Sequence, residues 1–201
     1  RYLAHLGRTV TVYLVSGAHD FTSSAQVNFK IVQNLGLPIV DIMRTLPVFD
    51  HDVLVDAIFG IGLSRPVEGH TAKVIQAINK SNAKIVSIDV PSGLNTDTGQ
   101  PLGETVKANL TITVGLNKIG LVVEPGATLA GQVRVVDIGF PSAVIEQQKI
   151  STYKTHLTDL LFPTRSANSH KGKFGRVFVL AGSSGMTGAA TLTSSAVLKS
   201  G

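Results

Sequence analysis

The stretch Ile85-Val-Ser-Ile-Asp-Val-Pro-Ser-Gly-Leu-Asn-Thr-Asp-Thr-Gly99 decides how the chain is read. Ile85 to Ile88 is a short, β-branched and mainly apolar run, the pattern of a strand buried on both faces. Asp89 closes it with a carboxylate. Pro91 cannot donate to a sheet ladder, so the strand stops there. Ser92, Gly93, Asn95, Thr96, Asp97 and Gly99 are turn chemistry. The expectation is one acidic group at the carboxyl end of a core strand, facing a polar loop, where open α/β sheets place their ligands. The alternative is that Asp89 only caps the loop by accepting backbone N–H bonds.

A second stretch has the same design. Asp52 to Phe59 reads as a buried strand carrying Asp56 near its end. Gly60-Ile61-Gly62-Leu63-Ser64-Arg65-Pro66 follows, a loop whose glycines let backbone N–H groups approach a phosphate and whose Arg65 can pair with it bidentately. A tight turn with an exposed arginine is the plainer reading of the same loop. If the two loops converge, Asp56, Ser92 and backbone carbonyls suit a hard cation.

Working outward, Arg1–Leu6 reads as a helix tail closed by Gly7, Thr9–Val15 as a strand, and Ser23 to about Leu35 as a helix stopped by Gly36. Pro38–Ile42 is a strand, 69–82 an amphipathic helix, 104–108 a short helix, and 110–114 and 133–138 strands. The connection 116–126 has no assignable period. Strands alternating with helical segments predict a mostly parallel sheet with helices on both faces. From Pro141 to Ser169 the composition becomes loop-like around a short helix at 143–149, and a domain boundary is expected there. Beyond it, Arg176–Ala181 reads as a buried strand, Gly182–Gly188 as a small-residue loop, and Ala189 onward as a helix with Thr187 as a candidate N-cap.

Of 201 residues, 43% are hydrophobic and 15% charged, which describes a globular chain able to bury a core. The absence of Cys excludes disulfides and thiolate metal sites. The absence of Trp and the scarcity of other aromatics argue against a nucleic-acid stacking surface. The net charge of +5 suits an anionic ligand, although its lysines and arginines are scattered. No apolar run approaches the ~20 residues of a membrane span. His5, His19, His51, His70 and His156 are isolated and read as surface or packing residues. No Ser-His-Asp constellation or zinc spacing is present. The chain starts at Arg1 with no leader pattern and ends inside a helical pattern, so an internal fragment of a longer polypeptide is expected.

Together, Asp56–Pro66, Ser87–Leu94 with Asp97-Thr-Gly99, and Val136-Asp-Ile-Gly-Phe-Pro141 resemble the YjeF N-terminal domain, the NAD(P)H-hydrate epimerase family. Ser169-His-Lys-Gly-Lys-Phe-Gly-Arg176 and Ala181–Ala190 resemble the start of an ADP-dependent NAD(P)H-hydrate dehydratase domain. The resemblance implies a three-layer α/β/α Rossmann-like domain over 1–150, followed over 151–201 by the first β-loop-α unit of a ribokinase-like domain. It implies epimerisation of R and S hydrated NADH and NADPH, coupled in the full-length protein to ADP-dependent dehydration of the S form. Asp56 and Ser92 would bind potassium. Gly60, Ile61, Gly62, Leu63, Ser64, Arg65 and Pro66 would contact the dinucleotide. Asp89 would bind substrate and act as the acid–base group, which calls for a pKa raised by burial. Ala189 would lie against substrate in the second domain. ADP, with magnesium, would serve the dehydratase.

A cytoplasmic homo-oligomer without nucleic-acid or membrane partners is implied for the full-length protein. The family's Asn-Asn-Gly-Gly-Asp-Gly loop is not among these residues, so impaired or absent activity is expected of the chain alone. The rival readings are a non-catalytic binding or scaffolding module and a kinase of the ribokinase class.

Overall fold

The apolar runs form parallel strands. In the computed structural model, which describes residues 1–17, 21–159 and 175–200 with Asn168 and Gly172, β1 (Val12–Leu14) pairs with β2 (Ile39–Asp41), Val12 opposite Ile39 and Leu14 opposite Asp41. A second parallel sheet runs in the order β3 (Val53–Asp56), β4 (Lys84–Ile88), β5 (Leu110–Val114), β6 (Gln132–Val136). Helix α1 (Tyr2–His5) precedes β1. Helix α2 (Ser23–Asn34) joins β1 to β2, and Thr22 caps it by accepting from the Ala25 N–H. Helix α3 (Gly69–Lys80) joins β3 to β4. Parallel neighbours joined through helices are the βαβ logic that the alternation predicts.

The observed strands are shorter than the apolar runs that announce them, and only one face of the larger sheet is fully covered. In β3, β4 and β5 every second residue is buried: Leu54 and Asp56, Ile85 and Ser87, Thr111 and Thr113. Val53, Val55 and Ile88 on the opposite face are exposed. The expectation of burial on both faces of 85–88 is thereby corrected. The covered face meets α3, which buries Val74, Ile75 and Ile78 against Leu54 and Ile85. Ile42 and Phe49 belong to the same core, with Tyr13 and Val15 packed on it, so the β1–β2 pair shares it. Val90, Leu94, Leu121 and Ala130 form a second cluster.

Residues 104–108 are not a helix. Their backbone groups are committed to other segments: Asn79 Nδ2 donates to the Thr105 carbonyl, the Lys107 N–H to Asn79 Oδ1, and the Val106 N–H to the Ser92 carbonyl. With these groups taken, no helical ladder can form over the segment.

The connection after β5 contains a 3-10 turn (Ile119–Leu121) and then α4 (Gly126–Ala130). Here backbone packs directly on backbone. A Cβ on Gly126 would run into the Gly120 carbonyl oxygen and stand 2.9 Å from the Gly99 Cα. A Cβ on Gly120 would strike the carbonyl oxygens of Asn95 and Thr96. Helix α5 (Ser142–Gln147) follows β6.

The chain divides into two compact units, Arg1–Gln148 and Lys149–Gly201. In the second, a short turn pairs Ser183 with Met186 ahead of α6 (Gly188–Ser200). Residues 176–181 form no strand, and Val177, Phe178 and Leu180 are exposed. A strand needs a partner for its ladder, and none stands beside it among the described residues of this unit. His19, Pro163, Thr164, Arg165, Ser166, Ser169, His170, Lys171, Lys173 and Phe174 lie outside the described residues. No helix among the described residues is long and apolar enough to cross a membrane.

Ile75 is fully buried at the centre of the α3 contact. Ile75→Ala should cost about 2–5 kcal/mol, whereas exposed Val27→Ala should stay within about 0.5 kcal/mol; urea unfolding of both variants compares the two.

Candidate active site

Asp56 ends β3 with its side chain on the covered face, 2% exposed. Four donors fill its carboxylate. Ser87 Oγ, from the cross-strand neighbour on β4, donates to Oδ2 at 2.8 Å, as does the Ser92 N–H at 2.8 Å. Ser92 Oγ donates to Oδ1 at 2.5 Å, and the Ile58 N–H reaches Oδ1 at 3.3 Å. Ser92 Oγ in turn accepts from the Phe59 N–H at 2.8 Å. The ends of β3 and β4 are thus tied together through one carboxylate and one hydroxyl.

Asp89 follows β4 and holds a φ of 69°, the left-handed region that Asp tolerates better than most residues. Its N–H still donates to the Ile112 carbonyl at 2.7 Å. Its Oδ1 accepts from Lys118 Nζ at 2.6 Å, Thr113 Oγ1 at 3.2 Å and the Val114 N–H at 3.3 Å. Lys118 Nζ also donates to Thr113 Oγ1 at 2.7 Å and to the Val114 carbonyl at 2.9 Å. Burial pushes the Asp89 pKa up. The hydrogen bonds from Lys118 and Val114, the Lys118 charge and the Thr113 hydroxyl outweigh it and hold the carboxyl below its ordinary value. The raised pKa expected from burial is therefore corrected: Asp89 is ionised at neutral pH.

The loop after β3 runs from the Asp56 carboxylate to the Asp89 carboxylate. Ile58 and Phe59 are held by Asp56 and Ser92, and the next residue is Gly60. A Cβ built there would be 3.9 Å from Asp89 Oδ2 and touch nothing else within 4 Å. Ile61, Gly62, Ser64, Arg65 and Pro66 are exposed, and Leu63 is half-buried. Ala189 sits exposed in the first turn of α6, in the second unit. Asn95 shapes the polar loop by accepting from the Asp97 and Thr98 N–H groups.

No described cationic side chain pairs with Asp56, so neutral dipoles alone meet its buried charge. With Ser92 Oγ and the Phe59 carbonyl alongside, the oxygens are all hard and fit a monovalent cation in kind, one that would displace a donor now on the carboxylate. Among the described residues no group of three or more His, Asp or Glu stands together as a metal site.

Lys118 is the residue that sequence reasoning missed. It lies in a connection without hydrophobic period, and no local pattern separates it from the other scattered lysines.

Parallel strands joined by helices, with carboxylates at the ends of adjacent strands beside a glycine loop, define a Rossmann-like α/β protein with its site at the carboxyl edge of the sheet. The family model described as YjeF-related protein N-terminus matches residues 1–120, and the chain belongs to that family. It is 38% identical over 212 residues to the bifunctional NAD(P)H-hydrate repair enzyme Nnr of Moorella thermoacetica, covering all of this chain and 40% of the relative. It is 42% identical over 137 residues to the NAD(P)H-hydrate epimerase of Limosilactobacillus fermentum, covering 68% of this chain and 65% of that one. The chain thus spans about 40% of the length of the bifunctional relatives that it matches. The crystal structure of yeast ynu0, YNL200c, shares the fold with a TM-score of 0.60 and 17% identity, over 79% of this chain and 67% of that one.

Asp56→Asn places an NH2 group against donors that need an acceptor. It should cost about 1–3 kcal/mol or more by urea unfolding. Asp89 has a lowered folded pKa, so its contribution to stability is whole above the unfolded value of about 3.9 and is lost as pH falls through the folded value. The stability gap between the wild type and Asp89→Asn should accordingly narrow as unfolding is repeated from pH 7 downward.

Proposed function

We propose that residues 1–150 form the epimerase domain of a nicotinamide-nucleotide repair enzyme. It interconverts the R and S forms of hydrated NADH and NADPH. The observation that carries this reading is the ionised Asp89 carboxylate, with Oδ1 tied down and Oδ2 facing the Gly60 loop. Family membership and the names of the relatives agree with it.

Hydrated NADH carries a hydroxyl at C6 of the reduced ring. The ring nitrogen's lone pair expels it, with a proton from solvent, as water and leaves an iminium-like cation. Ionised Asp89 stabilises that cation electrostatically. When water returns on the other face, Oδ2 takes its proton and the C6 hydroxyl is restored with inverted configuration. The backbone of Gly60–Pro66, with Arg65, binds the dinucleotide phosphates. Asp56 and Ser92 would hold potassium, which would supply a positive charge for an anionic substrate.

Residues 151–201 would open the ribokinase-like dehydratase domain, with Ala189 against substrate. In the full-length protein that domain would use ADP, with magnesium, to return the S form to NAD(P)H. On this reading the full-length protein would work in the cytoplasm as a homo-oligomer.

The test starts from purified S-hydrated NADH in potassium buffer and follows appearance of the R form by chromatography. The full-length protein should exceed the spontaneous rate, and Asp89→Ala should remove about 10²–10⁴-fold of the rate. Gly60→Val, whose side chain has open space but covers Oδ2, should lose activity while keeping the wild-type Tm. Binding without interconversion in the wild type would overturn the epimerase reading and leave a binding module.

A further inference from the structure

Asp89 Oδ1 and Oδ2 are chemically equivalent, yet the fold treats them differently. Oδ1 receives every hydrogen bond that the described residues make to this carboxylate, three of them from Lys118, Thr113 and Val114. Oδ2 receives none and is not among the buried unpaired atoms. Rotation of a carboxylate about its last bond is broad and two-fold, so something must break the symmetry.

We propose that Lys118 is the positioning residue of the site: its ammonium clamps Asp89 Oδ1 against β5 and thereby presents Oδ2 to the opening at Gly60. This rests on the epimerase reading and deepens it.

Three observations support the assignment. First, the ammonium has three N–H donors, and Asp89 Oδ1, Thr113 Oγ1 and the Val114 carbonyl take all three. None is left for substrate, so Lys118 acts through Asp89. Second, Thr113 is fully buried on β5, and its hydroxyl accepts from Lys118 while donating to Asp89. The clamp therefore stands on a rigid strand rather than on a loop. Third, Asp89 itself sits at a φ of 69°. Such a backbone persists where the surroundings over-determine it, and here the Ile112 carbonyl holds its N–H while the clamp holds its side chain. Lys118 is the one charged group in ion-pair contact with Asp89 among the described residues; the facing Gly60 and the β5 residues Thr113 and Val114 bring none.

Two readouts test the clamp independently. The first is the Asp89 side-chain carboxyl ¹³C shift, followed against pH in the full chain without substrate. Asp89 in the wild type should titrate below the ordinary Asp value. Lys118→Met keeps the length of the stem but not the charge, and Asp89 should then titrate higher than in the wild type, because burial is opposed only by the Val114 N–H and the Thr113 hydroxyl. The second readout is the pH profile of R/S interconversion. Its acid limb should move to higher pH in Lys118→Met, with kcat falling tenfold or more and KM changing less. Lys118→Arg restores the charge without the three-way fit, and should return the acid limb while leaving kcat low.

An unmoved Asp89 titration and acid limb in Lys118→Met would overturn the proposal. A variant that fails to fold would be replaced by Thr113→Val, which removes one leg of the clamp and should raise the Asp89 titration by a smaller amount; no change there overturns the proposal as well. A wild type without epimerase activity refutes the reading of function, yet leaves the carboxyl titration to decide the clamp.

Discussion

The carboxylate of Asp56 is the interaction on which the site depends. A buried charge must have its acceptor positions filled, and this one draws its donors from three separate places: the loop directly after β3, the neighbouring strand β4, and the turn beyond β4. Ser92, caught by its N–H and its hydroxyl, then accepts from the Phe59 N–H and offers its carbonyl to Val106. The extended segment at 104–108 and the glycine loop at 60–66 both take their positions from that chain of bonds. Gly60 follows directly on Phe59 and stands opposite Asp89.

Asp56, Ser92 and Asp89 were legible in sequence because each belongs to a local signal: a β-branched run, a carboxylate at its end, then glycine and hydroxyl residues. Parallel strands joined through helices were legible for a similar reason, since the alternation of periods is itself local. What failed depended on distant partners. Residues 104–108 are extended because Asn79, on another element, takes their backbone groups. Residues 176–181 have strong strand propensity and no ladder to join among the described residues. The run Ile85–Ile88 has apolar residues at both parities, so nothing in it says that Ile88 is exposed while Ser87 is buried. Lys118 reaches Asp89 across 29 positions from a segment without period.

The Asp89 carboxyl shows two opposing effects meeting at a strand end. Burial alone would favour the neutral acid. An ammonium at 2.6 Å, the Val114 N–H and the Thr113 hydroxyl together outweigh it. The chemistry of the carboxyl is therefore set less by its depth than by the groups gathered on one of its oxygens, Lys118 foremost among them.

The backbone contact among Gly99, Gly120 and Gly126 carries a consequence for how this chain tolerates change. These glycines hold no reactive group, but they fix the path of the connection that delivers Lys118. A methyl group at Gly120 or Gly126 has nowhere to go except into carbonyl oxygens, so the whole connection must lift. In a saturation survey scored on activity, both positions would look as intolerant as the carboxylates, and their pattern alone would be mistaken for chemistry. Anyone redesigning the glycine loop has the opposite opportunity: Gly62 has open space around it and is the glycine at which a side chain can be added.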